Sequence, residues 1–558
     1  MKKFPINISD FKELIQGDYY YVDKSLLIKD ILDCKAKVML LPRPRRFGKS
    51  LNLTMLRYFL ENEPVKDSQI VDNSALFDGL QITKEDAKYM AHQGKYPLLF
   101  LTFKNVKRLN WKTTYQKFQK LIREEYEWHR FLLESNKLSV DEKIYFRSIM
   151  DFTASESDYE LSGKKLCEFL SRYYERKCML LIDDYDKPIF ANYPSAFYGK
   201  IVQFMHNFFL HSLSENPFLD RAIISGVLNI SNVSVLDGIS VYTLLNDNSG
   251  DRFGCTKDEV KQILKYYNLE DKFESAGLWY SYVYGDNTLY NPWSIINYLG
   301  DSINEFKPYW INSGIKVVIK ELIVKASPEF KQEMVELFLG KTISKPMLDS
   351  IDLPELEKND DAIWSFILHN GYLTAVNKSE SNGVTKYDLS FPNYEIRVLF
   401  EMIVLKWLHE SIGSHRWEEF VTSVVNADKE TFATILEEFS ITIRSYYKQN
   451  PNFVNIYYTL ILGLVVALDN THKVIPVVVN ENKKYLTIIK SKENQNQGII
   501  LGYTNVVQDE SLKDAVDEVK HYVEEKNIRQ QYFDEYAPEN VKTICFTIND
   551  TESFVSES

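Results

Sequence analysis

Between residues 37 and 240 the chain alternates short apolar runs with longer amphipathic ones. The runs at 38–41, 98–103, 178–182 and 221–224 are strand-length and lack polar alternation, as expected for strands buried on both faces of a parallel sheet. Residues 51–60, 115–132, 164–174 and 201–213 read as the intervening helices, and the alternation predicts a layered α/β domain. Past residue 240 the strand pattern stops. Helices are predicted over 257–267, 294–298, 315–326, 328–339, 354–370 and 393–409, a mainly helical middle with a small hairpin near 372–389. A last α/β segment opens around Trp417. It holds a helix at 430–448, an apolar run at 457–468, strands at 474–479 and 485–490, a helix at 511–526 and a final strand at 541–548 before a polar tail. With no internal repeat or low-complexity linker, the pattern changes set the expected regions: 1–245, 246–415 and 416–558.

A chain of 558 residues is too long for one hydrophobic core, so several domains are expected. A composition of 45% hydrophobic and 26% charged residues is that of an ordinary globular protein. The net charge of −12 argues against a surface that coats nucleic acid, while leaving a local basic cleft open. Five dispersed cysteines, Cys34, Cys167, Cys178, Cys255 and Cys545, read as reduced core thiols rather than a disulfide framework or a zinc site. The nine histidines form no HExxH pair. The N-terminus lacks a signal-peptide core, and the longest apolar run falls short of the roughly 20 residues that span a bilayer. The expectation is a cytoplasmic protein with no membrane partner, export by a dedicated secretion machine remaining open.

Two segments carry the candidate chemistry. The expected strand at 37–41 runs into Arg43, Pro44, Arg45, Arg46, Phe47, Gly48, Lys49 and Ser50, and a helix starting with Leu51 follows at once. At such a junction the backbone N–H groups of a helix N-terminus face outward with the helix dipole behind them, which suits a phosphate. Gly48 permits close approach, Lys49 would reach the β- and γ-phosphates, and Ser50 would offer a hydroxyl to Mg²⁺. Arg43 stands where the general loop pattern has its first glycine, and the plainer reading is a basic strand-to-helix turn. The second segment, Met179 to Asp186, ends a buried strand in Asp183 and Asp184. Asp183 would hold Mg²⁺ and Asp184 would orient or deprotonate a water; the plainer reading is a helix N-cap. Both segments on one parallel sheet favour nucleotide binding.

These residues, with the run from Tyr20 to Ser25, Ser225-Gly226-Val227, the run from Tyr290 to Ser294, and Gly371-Tyr372-Leu373, resemble the bacterial AAA-ATPase-like family. In that family RPRRFGK[ST] is the usual phosphate loop, so the resemblance accounts for Arg43. It implies a P-loop ATPase domain using ATP and Mg²⁺, a helical lid, and an appended restriction-endonuclease-like domain of the PD-(D/E)XK type. Two departures bear on turnover. Asp184 stands where the family usually has glutamate, setting its carboxylate about 1.5 Å back, and misplacements of about 1 Å can cost ~100-fold in rate. Asn229 stands where the family often has an arginine, and an amide cannot supply the charge that stabilises a transferring phosphoryl group.

The C-terminal region matches the nuclease order but not its chemistry. Val454 replaces the usual glutamate of the leading helix, the strand at 474–479 carries no acid, and Ile488 stands where the E-x-K glutamate is expected, leaving Lys490. Without carboxylates Mg²⁺ is not held for water activation. Asp469 and Glu481 lie at expected element ends. Lys490 and Lys492 are solvated strand-end charges or part of a surface that binds a protein partner or nucleic acid without cutting. Three readings follow: an ATP-gated switch with slow turnover, an ATP-dependent nuclease, and a pseudo-enzyme scaffold. Arg45 and Arg46 are candidates for contact with phosphate or with a neighbouring copy in a homo-oligomer, the plainer reading being a solvated pair of charges.

Overall fold

The computed structural model describes residues 1–62, 72–106, 110–231, 239–245, 250–285, 287–301, 305–310, 316–381, 383–446, 456–468, 470–479, 484–492, 497–504, 511–548 and 553–557. The chain forms two compact units, Met1–Ile311 with Ser344–Ile396, and Asn312–Ile343 with Arg397–Ser558.

In the first unit, β1 (Val38–Pro42), β2 (Leu98–Thr102), β3 (Cys178–Asp183), β4 (Leu219–Gly226) and β5 (Ile239–Val241) form a five-stranded sheet in the order β2-β3-β4-β1-β5. Every pairing is parallel. β1 and β3 are buried at every position, which explains their unbroken apolar sequences. Parallel strands need helical crossovers, supplied here by α1 (Lys49–Leu60) and by the helices Trp111–Trp128, Glu156–Tyr174 and Tyr198–Phe209. Asn110 caps the first of these three by accepting from the Thr113 N–H, and Ser155 and Asp158 form a capping box at the second. Register decides where chemistry can sit. Pro42 lies opposite Gly226, and Thr102 opposite Asp183, so the carboxyl ends of the central strands open on one edge.

The four expected strands are present, and β5 is added, three half-buried residues too short to show a pattern. The helix Val140–Met150 is also unforeseen, because exposed Val140 and Ile144 blur its apolar stripe.

The middle of the chain carries the expected helices, and beyond the expected hairpin it also holds a wider sheet. A mixed six-stranded sheet is built from β6 (Cys255–Thr256), β7 (Ser281–Tyr284), β8 (Asn287–Tyr290), β9 (Ile343–Pro346), β10 (Thr374–Ser381) and β11 (Val384–Ser390), ordered β6-β8-β7-β10-β11-β9. Only the β10–β11 hairpin was legible; the other four strands have two to four residues, below the length at which alternation shows. The helix α2 (Pro292–Gly300) is expected, with Asn291 accepting from the Trp293 N–H and Pro292 in its first turn.

The second unit contains α3 (Pro328–Phe338), α4 (Ile456–Leu468) and α5 (Leu512–Glu525). Its sheet runs β12 (His472–Val479), β13 (Lys484–Ser491), β14 (Gly498–Thr504), β15 (Val541–Ile548) and β16 (Ser553–Glu557) in sequence order. All neighbours are antiparallel except β14 and β15, which α5 connects. The fully buried β14 and the edge strand β16 correct the sequence reading, which left out the first and assigned the second to a polar tail. Val454, Asp469 and Glu481 lie outside the described residues. Among the described residues no helix is long and apolar enough to cross a membrane.

Gly463 in α4 marks a close approach, since an added Cβ would lie 2.5 Å from both Leu408 Cδ1 and Trp417 Cη2. Alanine is the better helix former by about 1 kcal/mol, but overpacking costs about 1–3 kcal/mol. Gly463→Ala is therefore expected to lower the urea midpoint. A raised midpoint would mean that Leu408 and Trp417 yield freely.

Candidate functional site

Residues 43–48 leave β1 and turn into α1 with Arg46 at φ 69° and Gly48 at φ 83°. The left-handed conformation costs nothing at glycine but about 1–2 kcal/mol at Arg46, so contacts must hold it there. The Arg46 guanidinium lies 3.7 Å from the Trp293 ring centroid, a close cation–π stack. Behind the loop, Arg43 is fully buried: its guanidinium donates to the carbonyls of Pro42 and Tyr242 and lies 4.7 Å from the Phe253 ring. Arg43 is thus a prop that points away from the ligand side, which explains how a large residue replaces the first glycine of the general pattern. Pro44 abuts Gly371, where φ is 81° and an added Cβ would come within 2.7 Å of the proline. The Phe47 carbonyl accepts from the Gly254 N–H at 3.1 Å, and its ring packs edge-on against Tyr282.

The polar groups converge on the sheet edge that register predicts. Ser50 Oγ donates to Asp183 Oδ2 at 2.7 Å and Ser225 Oγ to Asp183 Oδ1 at 2.8 Å, tying α1, β3 and β4 through one carboxylate. Burial raises the Asp183 pKa and neighbouring Asp184 adds to the rise, while the two hydroxyls and Lys49 oppose it. Lys49 Nζ donates to the carbonyls of Arg43 at 3.1 Å and Pro44 at 3.0 Å. Burial lowers its pKa, and Asp184, Asp186 and Asp183 hold it up. Asp184 sits at φ 52° with Oδ2 3.6 Å from Lys187 Nζ. Asp186 is buried and accepts from the N–H groups of Val227 and Leu228 at 2.7 and 2.8 Å, fixing the turn after β4.

A cavity of about 390 Å³ opens above these groups. Of the residues expected from sequence, Arg45, Arg46, Gly48, Lys49, Ser50, Leu51 and Asp184 line it. Asp183 lies beneath, reached through Ser50, and Pro44 and Phe47 turn their side chains into the supporting structure. Lys104, Asp186, Lys187, Trp293 and Asn370 line the cavity without having been assigned roles. All but Lys104 lie in or beside runs that carry the resemblance, so proximity to those runs was the available signal. Asn229 instead donates through its amide to the Asp349 carbonyl at 2.8 Å, and its own carbonyl accepts from the Ile351 N–H. The first-turn N–H groups of α1 have no side-chain cap, an arrangement that suits an anion. A serine hydroxyl and a carboxylate in direct contact are the hard oxygen donors that Mg²⁺ takes, and these residues fit it.

Residues 5–236 match the family model described as predicted AAA-ATPase, which supports a nucleotide-binding, ATPase-like role for this part of the chain. The chain is also similar to a protein described as "Uncharacterized protein in vnfD 5'region" from Azotobacter chroococcum mcd 1. The two are 24% identical over 492 residues, covering 84% of this chain and 85% of the relative.

A buried carboxylate supports the site from below. Glu395 accepts from Ser294 Oγ at 2.7 Å and from the Trp310 N–H at 2.9 Å. Trp310 stacks on Tyr372 at 5.0 Å, next to the glycine that abuts Pro44. Burial pushes the Glu395 carboxyl up to about 7, against the lowering effect of these bonds. Because the folded pKa exceeds the unfolded one, the proton-linked stability is fully present below about pH 4.5 and is lost as pH rises through about 7. Glutamine can keep both contacts, its oxygen facing Trp310 and its amide donating to Ser294. Glu395→Gln is therefore expected to unfold at higher urea than wild type at pH 8.5, with the gap narrowing at pH 5.5, by on the order of 1–3 kcal/mol. A gap independent of pH would contradict the assignment.

Proposed function

We propose that this chain is an ATP-binding P-loop protein that hydrolyses ATP slowly and uses the nucleotide as a switch. The convergence of Lys49, Ser50 and Asp184 on one cavity, with Asp183 bonded to Ser50 beneath it, carries this reading. The Lys49 ammonium has three donors and spends two on the loop carbonyls, so phosphate oxygens compete for a group already aimed along the loop. Uncapped N–H groups of α1 add donors for the same oxygens. Mg²⁺, when bound at Ser50 and Asp183, would neutralise phosphate charge. Asp184, held near Lys187, is the group placed to orient a water. Asn229 is committed to residues 349–351, so no cation comes from that position; Arg45 and Arg46 border the cavity, and a neighbouring copy is the other source.

Switching follows from what the loop touches. Arg46 stacks on Trp293 of α2, and Pro44 abuts Gly371, so a phosphate that repositions the loop acts on both segments at once. In functional terms residues 1–245 would hold the nucleotide, 246–415 would cover it, and 416–558 would carry the output.

The second unit reads as a nuclease-derived module that binds a protein or nucleic acid without cutting. The order α4-β12-β13-β14-α5-β15 supports the resemblance. Its chemistry does not, because none of β12, β13, β14 and β15 contains an aspartate or glutamate at any position. Whichever two neighbours among these four strands are taken as the catalytic pair, they offer no carboxylate for a metal.

Lys49→Ala is expected to weaken Mg·ATP binding by about 10–100-fold in an equilibrium titration; equal affinity would sink the reading. Asp184→Glu, which restores the missing methylene, is expected to speed steady-state hydrolysis by about tenfold or more. An unchanged rate would move the limitation from the acid to the absent cation. Single- and double-stranded DNA and RNA are expected to stay intact with Mg²⁺ and ATP, and cleavage would return the nuclease reading.

A further inference from the structure

In the second unit a cleft of about 340 Å³ opens beside the turn that follows α3, β12 and the end of β13. We propose that this cleft binds a compact phosphate-bearing anion, of the class of an inorganic polyphosphate or a small organic phosphate.

Among the described residues the polar part of its lining is cationic: Lys341, Arg397, Lys473 and Lys492, with His472 beside them. In a chain of net charge −12 this is a local inversion. The four cations line one cleft, and His472 lies close to Lys492. Burial, and after it the charge of Lys492, lowers the His472 pKa, and the Lys492 N–H donates to the Thr471 carbonyl at 2.9 Å. Arg397 is oriented by Glu401, 3.0 Å from its Nε.

The backbone suits an anion as well. Among the described residues β12 is an edge strand paired with β13, so alternate N–H groups face away from the sheet. The carbonyl end of α3 would oppose an anion, but the Gly340 and Lys341 N–H groups bond back to the carbonyls of Leu337 and Glu336, each at 3.0 Å. An extended peptide is the poorer occupant. Pro476 removes an N–H from the middle of the edge, and charged residues on an edge strand resist strand addition. The volume is that of a site for a small molecule, not of a long groove.

Tripolyphosphate is the probe, titrated calorimetrically into the full chain carrying Lys49→Ala so that the loop in the first unit does not obscure the result. One binding event is expected to remain, and adding Lys473→Ala with Lys492→Ala is expected to weaken it by about tenfold or more, with thermal unfolding unchanged. Lys341→Ala, on a different element, is expected to weaken it too. Absence of heat in the Lys49→Ala chain would overturn the proposal, as would equal affinity after the lysine substitutions. A single-stranded oligonucleotide binding far more tightly than tripolyphosphate through the same lysines would also overturn it, making the cleft part of a nucleic-acid surface. If Lys49→Ala leaves ATP binding intact while the cleft behaves as expected, the nucleotide-site reading fails and this one stands.

Discussion

The first unit depends on the buried carboxylate of Asp183. An ionised acid with 2% exposure is costly unless hydrogen bonds and a cation offset its lost hydration. Here Ser50 and Ser225 donate to its two oxygens, and Lys49 lies in the same field. Those partners come from α1 and β4, so stabilising one charge also fixes the relative positions of α1, β3 and β4. The parallel register makes this possible by bringing Pro42 opposite Gly226 and leaving Asp183 at the edge where β3 ends. Structural and chemical requirements thus fall on the same atoms.

The loop itself is held from the outside by aromatic and glycine contacts. Arg43 and Arg46 run in opposite directions from the same short segment, one onto Phe253 and the other onto Trp293. Their cation–π contacts anchor a turn that includes a non-glycine residue at positive φ. Gly371 lets the chain approach Pro44 closely, and Gly226 allows Tyr185 and Asp186 to pack where a Cβ would lie 2.7 Å from the tyrosine ring. The loop therefore does not need a glycine at every tight position, provided that glycines lie in the segments that press on it.

The elements that could be read from sequence were those with one dominant signal. β1 to β3 are apolar runs and β4 holds one from Ala222 to Ile224, and Lys49, Ser50 and Asp183 sit at strand ends in a recognisable order. The six-stranded sheet was hidden because β6, β7, β8 and β9 are short, and the β7–β8 hairpin is tied in by long-range pairing to β6 on one side and β10 on the other. β14 was hidden because Gly498 and Gly502, needed where Phe533 and Val519 press on the strand, look like turn residues in isolation. At the site, Trp293 and Asn370 sat inside or beside marked runs, but only tertiary contacts assign them to the cavity. Lys104 follows β2 with no local signature at all.

The central claim is that residues 43–50 and the start of α1 receive the phosphates through backbone N–H groups. Amide hydrogen exchange with and without Mg·ATP tests this most directly, because bound phosphate oxygens protect those donors. Slower exchange strongest at residues 45–52 and the ends of β3 and β4 is the result this account predicts. Unchanged exchange there at a nucleotide concentration that saturates binding would contradict it, placing the nucleotide elsewhere on the chain.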